Sequence, residues 1–419
     1  MPRSAILQPN LSPPPKHRRS LVAAGATLVV FLGNCFASQP AMLPRGPRVG
    51  DQDLSPFYEW TQALPGAPGV LLRQEPMPAG LMPPHASQGT RLLYSSTDGR
   101  WNTGMIPVSG ALYLPSGIPA AGGWPLILWA HGTVGIADSC APSWSGSNER
   151  DRAYIDKWLA AGFAVVAPDY QGLGGPGPHA YTQWRAEGQS SLDSVRVALA
   201  MNLPVANRIV ITGQSQGSGA SLAAARLSSS YAPELHIVGA IATALLATFP
   251  ERARTATPSP EDSPHFWIYR IVGGGLPDGS PAADELLTAK GKVLLEAILQ
   301  GCSPRPIAER EGITNANAFA DAADLDRKLG PIGAQTQFKV KFPLMVGTGL
   351  ADELVSPVRQ REAVAALCSY GNTVAWKRYP GANHSGTLLA SFEDAERFAR
   401  SVLASGLIDS QCGTLDSTP

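Results

Sequence analysis

The chain has 419 residues, and its 33 Lys+Arg balance 33 Asp+Glu to a formal net charge of zero at pH 7, which excludes the electrostatic footprint of a protein that binds nucleic acid or another polyanion. Hydrophobic residues at 44% are enough for a large core and exclude bulk disorder. Glycine (43) and proline (38) make up roughly a fifth of the chain against an average near 12%, which calls for many ordered loops.

The N-terminus reads as an export segment over residues 1–37. Lys16, His17, Arg18 and Arg19 form a basic region, and Leu21 to Leu32 is an apolar run too short to span a bilayer. Small residues flank Phe36, so cleavage is expected after Ala37. A lipoprotein box at Leu32-Gly33-Asn34-Cys35 is spoiled by Asn34, and Arg18-Arg19 gives only a faint twin-arginine pattern. The expected product is secreted or periplasmic. Of the five cysteines, Cys35 lies in this segment, leaving Cys140, Cys302, Cys368 and Cys412. An even number in an exported chain implies two disulfides, and spacing alone leaves three pairings open. None of the four has metal-ligand spacing with another Cys or His.

From Ser38 to Gly89 prolines deny the chain long helices, although short helical turns fit Asp53 to Thr61, and Phe57, Tyr58 and Trp60 suggest packing onto a body. Two neighbouring strands are predicted over Thr90–Thr97 and Ile106–Leu114. Pro125–Ala130 is a continuous apolar run, as in a strand buried on both faces. Then follow a helix over Arg152–Ala161, a strand over Phe163–Ala167, a helix over Ser191–Asn202, a strand over Arg208–Thr212 and a small-residue helix over Ser218–Leu227. His236–Ala242, Pro343–Gly347 and Thr373–Tyr379 complete the strands. Alternating strands and helices predict an α/β fold, with a mostly parallel central sheet and helices on both faces. Between Leu245 and Phe338 the rhythm breaks into helical pieces, His265–Val272, Ala283–Leu299 and Asn315–Leu329. This 245–338 insertion is read as a helical cap on a core formed by residues 90–244 and 339–419.

Gly213-Gln214-Ser215-Gln216-Gly217 joins the strand ending at Thr212 to the helix that follows. It is a nucleophile elbow, G-x-S-x-G, in strand-turn-helix context. Glycines flank a sharp turn that raises the serine hydroxyl at a helix N-terminus, where positive potential steadies a developing anion. A serine needs a base, and the base needs an orienting acid. The order Ser, acid, His is met by Asp352, in the loop after the strand ending at Gly347, and by His384, in the loop after Tyr379. Rivals for the acid are Glu353, Asp324 and Asp326. Two backbone donors are expected for an oxyanion, the N–H of Gln216 and that of Thr133 in His131-Gly132-Thr133-Val134-Gly135. His131 is read as a structural hydrogen-bonding residue.

The elbow, the His131-Gly132-Thr133 loop, Asp138-Ser139-Cys140-Ala141-Pro142-Ser143 and Pro168-Asp169-Tyr170-Gln171-Gly172-Leu173-Gly174 together resemble the secretory lipase family over roughly Thr90 to Gly406. The resemblance implies an α/β-hydrolase fold with a helical cap and action on acyl esters. It also implies disulfides Cys140–Cys302 and Cys368–Cys412. Ser218-Gly219 departs from relatives that carry a further glycine there. The chemistry expected is serine hydrolysis of lipid or other carboxylic esters with no cofactor or metal. The substrate partner is a small-molecule or lipid ester, with transient contact at a lipid interface within reach of a mobile cap. Acyl transfer, amide cleavage by the same residues, and an idle binding protein on this fold are the alternatives. Two further motifs carry less. Gly172-Leu173-Gly174-Gly175-Pro176-Gly177 matches a dinucleotide pattern, but its prolines disfavour the helix such a site needs. Asn383-His384-Ser385 is a glycosylation sequon beside the expected base. The cap residues Phe266, Trp267, Ile268, Ile271 and Val272 either line an acyl pocket or pack the cap.

Overall fold

The computed structural model describes residues 51–247, 263–274, 286–321, 325 and 336–415. The expected export segment, Asp324 and Asp326 lie outside them. Nine strands form one sheet in the order β1-β2-β3-β5-β4-β6-β7-β8-β9. They are β1 (Leu71–Pro76), β2 (Ala86–Thr97), β3 (Met105–Pro115), β4 (Trp124–Ala130), β5 (Ala164–Pro168), β6 (Val205–Gln214), β7 (Ile237–Thr243), β8 (Leu344–Gly349) and β9 (Val374–Tyr379). The pairs from β1 to β5 through β2 and β3 are antiparallel. Every pairing from β5 through β4 to β9 is parallel. The α/β architecture read from the sequence is therefore present.

The apolar run of β4 is buried on both faces: Leu126, Leu128 and Ala164 belong to one core layer, while Ile127, Trp129 and Val165 belong to the other. The helices along this half are α1 (Pro142–Ser145), α2 (Glu149–Ala160), α3 (Trp184–Ala200) and α4 (Gln216–Tyr231). Asn148 caps α2 by accepting the Asp151 N–H at 3.0 Å, and Glu149 and Asp151 add negative charge to its first turn. After β7 come α5 (Pro264–Gly274), α6 (Ala289–Gln300), α7 (Arg305–Arg310) and α8 (Asn315–Ala318). Their apolar faces form a separate cluster, with Ile268, Ile271, Leu294 and Ile298 inside it. α9 (Pro357–Ser369) separates β8 from β9, and α10 (Gly386–Ala390) and α11 (Phe392–Leu403) follow β9.

Four expectations need correction. β1 lies inside the proline-rich stretch; as an edge strand with half-buried faces it has no alternating pattern to read. No helix forms within Asp53–Thr61, only a turn at Pro56–Tyr58, and Phe57 and Tyr58 are buried there. α6 starts at Ala289, not Ala283, because Thr288 caps it by accepting the Gly291 N–H and Leu287 bridges Phe319 in extended conformation. That bridge also ends α8 at Ala318; of the rest of the expected Asn315–Leu329 helix, Leu325 is helical and 322–324 and 326–329 lie outside the described residues. α3 begins seven residues before Ser191: its first two turns bury Glu187, Gly188 and Ser190, which leave no apolar stripe.

Both cysteine pairs implied by the resemblance are bonded. Cys140–Cys302 ties the loop after β4 to the segment between α6 and α7. Cys368–Cys412 ties the end of α9 to the C-terminal tail.

Candidate active site

The strand order reverses between β4 and β6, which pair in parallel with Ala130 opposite Gly213. At such a switch point the loops leaving two neighbouring strands diverge and open a crevice. The elbow after β6 and the Thr133 loop after β4 flank it. β8 and β9 pair up to Gly349 opposite Tyr379. The loops beyond them are stitched by Leu350 N–H to Tyr379 O (3.0 Å) and Ala351 N–H to Ala382 O (3.0 Å). Sheet register thus carries Asp352 and His384 to the edge of the same crevice.

Ser215 is the N-cap of α4 with φ 58° and ψ −121°, a left-handed backbone for a residue with a side chain. It is held there by its N–H to Thr243 O (3.1 Å) and by Ser218, whose N–H and Oγ both donate to Ser215 O. The elbow glycines are required by close approach. A Cβ on Gly213 would lie 2.0 Å from Gly217 O, and one on Gly217 would lie 1.9 Å from Ala130 O. Gly217→Ala is accordingly expected to cost on the order of 3 kcal/mol through forced backbone movement; a drop in thermal midpoint and in folded yield measures it.

Ser215 Oγ–H donates to His384 Nε2 at 2.8 Å. His384 Nδ1–H donates to both carboxylate oxygens of Asp352 at 3.0 Å. Asp352 Oδ1 further accepts the N–H groups of Leu354 (3.0 Å) and Val355 (2.8 Å), and Oδ2 accepts Gln360 Nε2 (2.9 Å). These donors fix the orientation of the buried carboxyl group toward His384. Of the rival acids, Glu353 instead accepts the backbone N–H of His384 at 3.3 Å. Gln214 Nε2 donates to His384 O at 2.9 Å, fixing the base loop to the elbow. The sequence reading missed Gln360, Leu354 and Val355 as supports. Gln360 lies on α9, a helix it did not place, and the other two act through backbone.

Two cavities meet at Ser215, Thr133 and His384. One, of about 450 Å³, is walled by Arg150, His265, Tyr269, Arg305 and Ser385. The other, of about 290 Å³, is walled by Leu246, Phe266, Trp267, Leu354 and Val355. Of the apolar residues expected in a pocket or in packing, Phe266 and Trp267 reach the cavity, while Ile268, Ile271 and Val272 pack inside the inserted helices. Burial, with Arg305 adding to it, pushes the His265 imidazole down to about 4, so it is a poor proton acceptor. Thr133 Oγ1 shares a 2.9 Å hydrogen bond with the Tyr181 hydroxyl. His131 is buried, with its ring nitrogens 2.7 Å from Gly132 O and 3.3 Å from Asp169 O, as a structural residue should be. Asp169 accepts the Ser109 hydroxyl (2.6 Å), the Ser143 hydroxyl and the Ser143 N–H (2.9 Å). The dinucleotide-like glycines form turns and bends with no helix opening among them.

The secretory lipase family model matches residues 145–260. Lipase A of Moesziomyces aphidis is 27% identical over 272 residues, 58% of each chain. A secreted triacylglycerol lipase of Malassezia furfur is 24% identical over 62% of this chain and 52% of its own. The chain thus matches somewhat over half the length of these two relatives. Among solved structures, Candida antarctica lipase A in its closed state superposes with a TM-score of 0.62 at 20% identity, over 86% of this chain and 88% of that one. A rice cell wall degrading esterase from Xanthomonas oryzae gives 0.61 at 17%, over 81% and 99%. At these identities the structural likeness speaks for the fold alone. Fold and sequence matches agree with what the motifs implied: the chain has the α/β-hydrolase fold and resembles the secretory lipase family.

Proposed function

We propose that the chain is an exported serine hydrolase of carboxylic esters, of the lipid or acylglycerol kind, with Ser215 as nucleophile, His384 as base and Asp352 as orienting acid. The observation that carries this reading is the unbroken hydrogen-bonded line from Ser215 Oγ through His384 to a buried Asp352, opening on two cavities. In the reaction, Ser215 Oγ attacks the ester carbonyl carbon while His384 Nε2 takes its proton. The resulting oxyanion faces the N–H of Gln216 at the head of α4 and the N–H of Thr133. Collapse breaks the bond to the alcohol oxygen, which leaves with the proton from His384. Water, deprotonated by the same Nε2, then attacks the acyl-serine and releases the acid. Asp352 keeps Nδ1 protonated, so that Nε2 carries the lone pair. The cavity walled by Leu246, Trp267 and Val355, with Arg270 and Arg359 also on its lining, is assigned to the acyl chain, and the one walled by Arg150 and Arg305 to the alcohol side. Both disulfides agree with an oxidising destination.

Initial rates on p-nitrophenyl esters from acetate to palmitate test the reading. A rate that climbs with chain length is expected if the cavity walled by Leu246, Trp267 and Val355 takes the acyl chain. A rate confined to acetate and butyrate would make the protein a short-chain esterase. Absence of any rate, together with failure of Ser215 to react with a fluorophosphonate, would overturn the hydrolase reading.

A further inference from the structure

Beneath the elbow lies a buried carboxyl that the reaction above does not use. Glu187, in the first turn of α3, is 2% exposed. Its Oε1 accepts Gln216 Nε2 at 2.8 Å and the Thr182 N–H at 2.9 Å. Gln216 Nε2 also lies 3.0 Å from His179 Nε2. His179 Nδ1 is 3.1 Å from Gln171 O, a pure acceptor, so Nδ1 bears the proton and Nε2 accepts from Gln216. The Gln216 amide nitrogen thus spends both hydrogens. Its Oε1 is buried with no partner. The Glu187 carboxyl therefore holds the amide through its nitrogen, and the unpartnered Gln216 Oε1 makes an added negative charge at that carboxyl unfavourable.

We propose that Glu187 is a positioning residue for ester hydrolysis: it clamps the Gln216 side chain and so fixes the Gln216 N–H that faces the oxyanion. This rests on the serine hydrolase reading. Gln216 opens α4, and its peptide is the one whose direction decides oxyanion stabilisation. A side chain locked by Glu187 and His179 leaves that peptide no room to swing.

The surroundings favour the neutral form. The groups facing Glu187 are the His179 imidazole and the phenols of Tyr170 and Tyr181. Burial pushes His179 down to about 3 and both phenols upward, so all three are uncharged. The charges of Arg100 and His131 act on His179, that of Asp151 on Tyr170 and that of Arg270 on Tyr181. Among the described residues no cation is paired with the Glu187 carboxyl, and burial pushes it up to about 8 despite the bonds from Gln216 and Thr182. Below about 8 the carboxyl is neutral; above it, ionisation puts a buried negative charge against an amide whose oxygen has no partner. In the unfolded chain the group ionises near 4.5, so its burial costs stability increasingly as pH rises from there to about 8.

Glu187→Gln mimics the neutral acid permanently, since its amide keeps an oxygen for Gln216 Nε2 and carries no charge at any pH. Glu187→Leu removes the clamp. With a p-nitrophenyl ester, wild-type kcat should fall as pH rises through about 8, and E187Q should lack that fall while keeping neutral-pH kcat within about threefold. E187L should lose kcat roughly ten- to a hundredfold with KM nearly unchanged. Independently of turnover, the melting temperature of E187Q should gain on wild type between about pH 5 and pH 8. An E187Q profile superimposable on wild type, with a melting-temperature gap that does not change with pH, would overturn the proposal. A wild type with no Ser215-dependent turnover would instead overturn the hydrolase reading on which it stands.

Discussion

Ser215→Ala is expected to lower kcat on the best ester by a factor on the order of 10⁵ to 10⁶. The fold should be unaffected. The substitution deletes one oxygen, whose partner is His384 Nε2. That oxygen caps no helical N–H, although Ser215 is the N-cap of α4. The left-handed backbone at this position costs alanine about as much as serine, and the bonds that hold it, Ser215 N–H to Thr243 O and Ser218 Oγ–H to Ser215 O, involve only main chain at residue 215. The measurement is turnover beside a thermal melt and a fluorophosphonate labelling. A folded S215A protein that retains more than about a hundredth of the activity would remove Ser215 from the mechanism.

The second large effect is at Asp352. Asp352→Asn should cost about 10⁴ in kcat with KM changed little. Oδ1 receives two backbone N–H groups, from Leu354 and Val355, which no amide nitrogen can replace. The amide nitrogen must therefore take the Oδ2 place, where it meets Gln360 Nε2, a donor, and His384 Nδ1, while the oxygen kept in the Oδ1 place, also 3.0 Å from Nδ1, is already taken by two N–H groups. Against a donor, His384 turns to the tautomer with hydrogen on Nε2 and none on Nδ1. Nε2 then cannot accept the serine proton. Steady-state kinetics of D352N across pH, with the melting temperature as control, decide it. A loss below about tenfold would mean that another acid, Glu353 being nearest in sequence, orients the imidazole.

The parts of this site legible in the sequence were those that physics forces into a local pattern. The elbow needs glycine on both sides because of clashes at 2.0 and 1.9 Å, so Gly213 and Gly217 betray Ser215. Asp352 and His384 were legible because each follows a strand, wholly buried before Asp352 and buried over Val374–Trp376 before His384, and the strands themselves are short runs with turn residues at their ends. Elements lost in the reading had mixed faces. β1 is an edge strand, and α3 starts with two turns of buried small and polar residues. α9, α10 and α11 were not placed either, although α11 buries an apolar face that includes Phe392, Phe398 and Val402. The supporting shell was out of reach for a different reason. Gln360, Glu187 and His179 act through contacts between elements, and no spacing in one segment encodes a partner in another.

Under the proposed mechanism, the sheet order decides when in synthesis the site can first act on an ester. Ser215 stands 169 residues before its base, and the base arrives only behind β9, the last strand to be added. Until then the hydroxyl is an ordinary alcohol with nothing to activate it. β9 in turn is bordered by the tail, through Gln411 N–H to Val374 O (2.9 Å) and Trp376 N–H to Gln411 Oε1 (2.7 Å), and the tail is tied back by Cys368–Cys412. Under the proposed mechanism, a chain that is still emerging, or one clipped ahead of β9, lacks His384 and with it the base that activates Ser215.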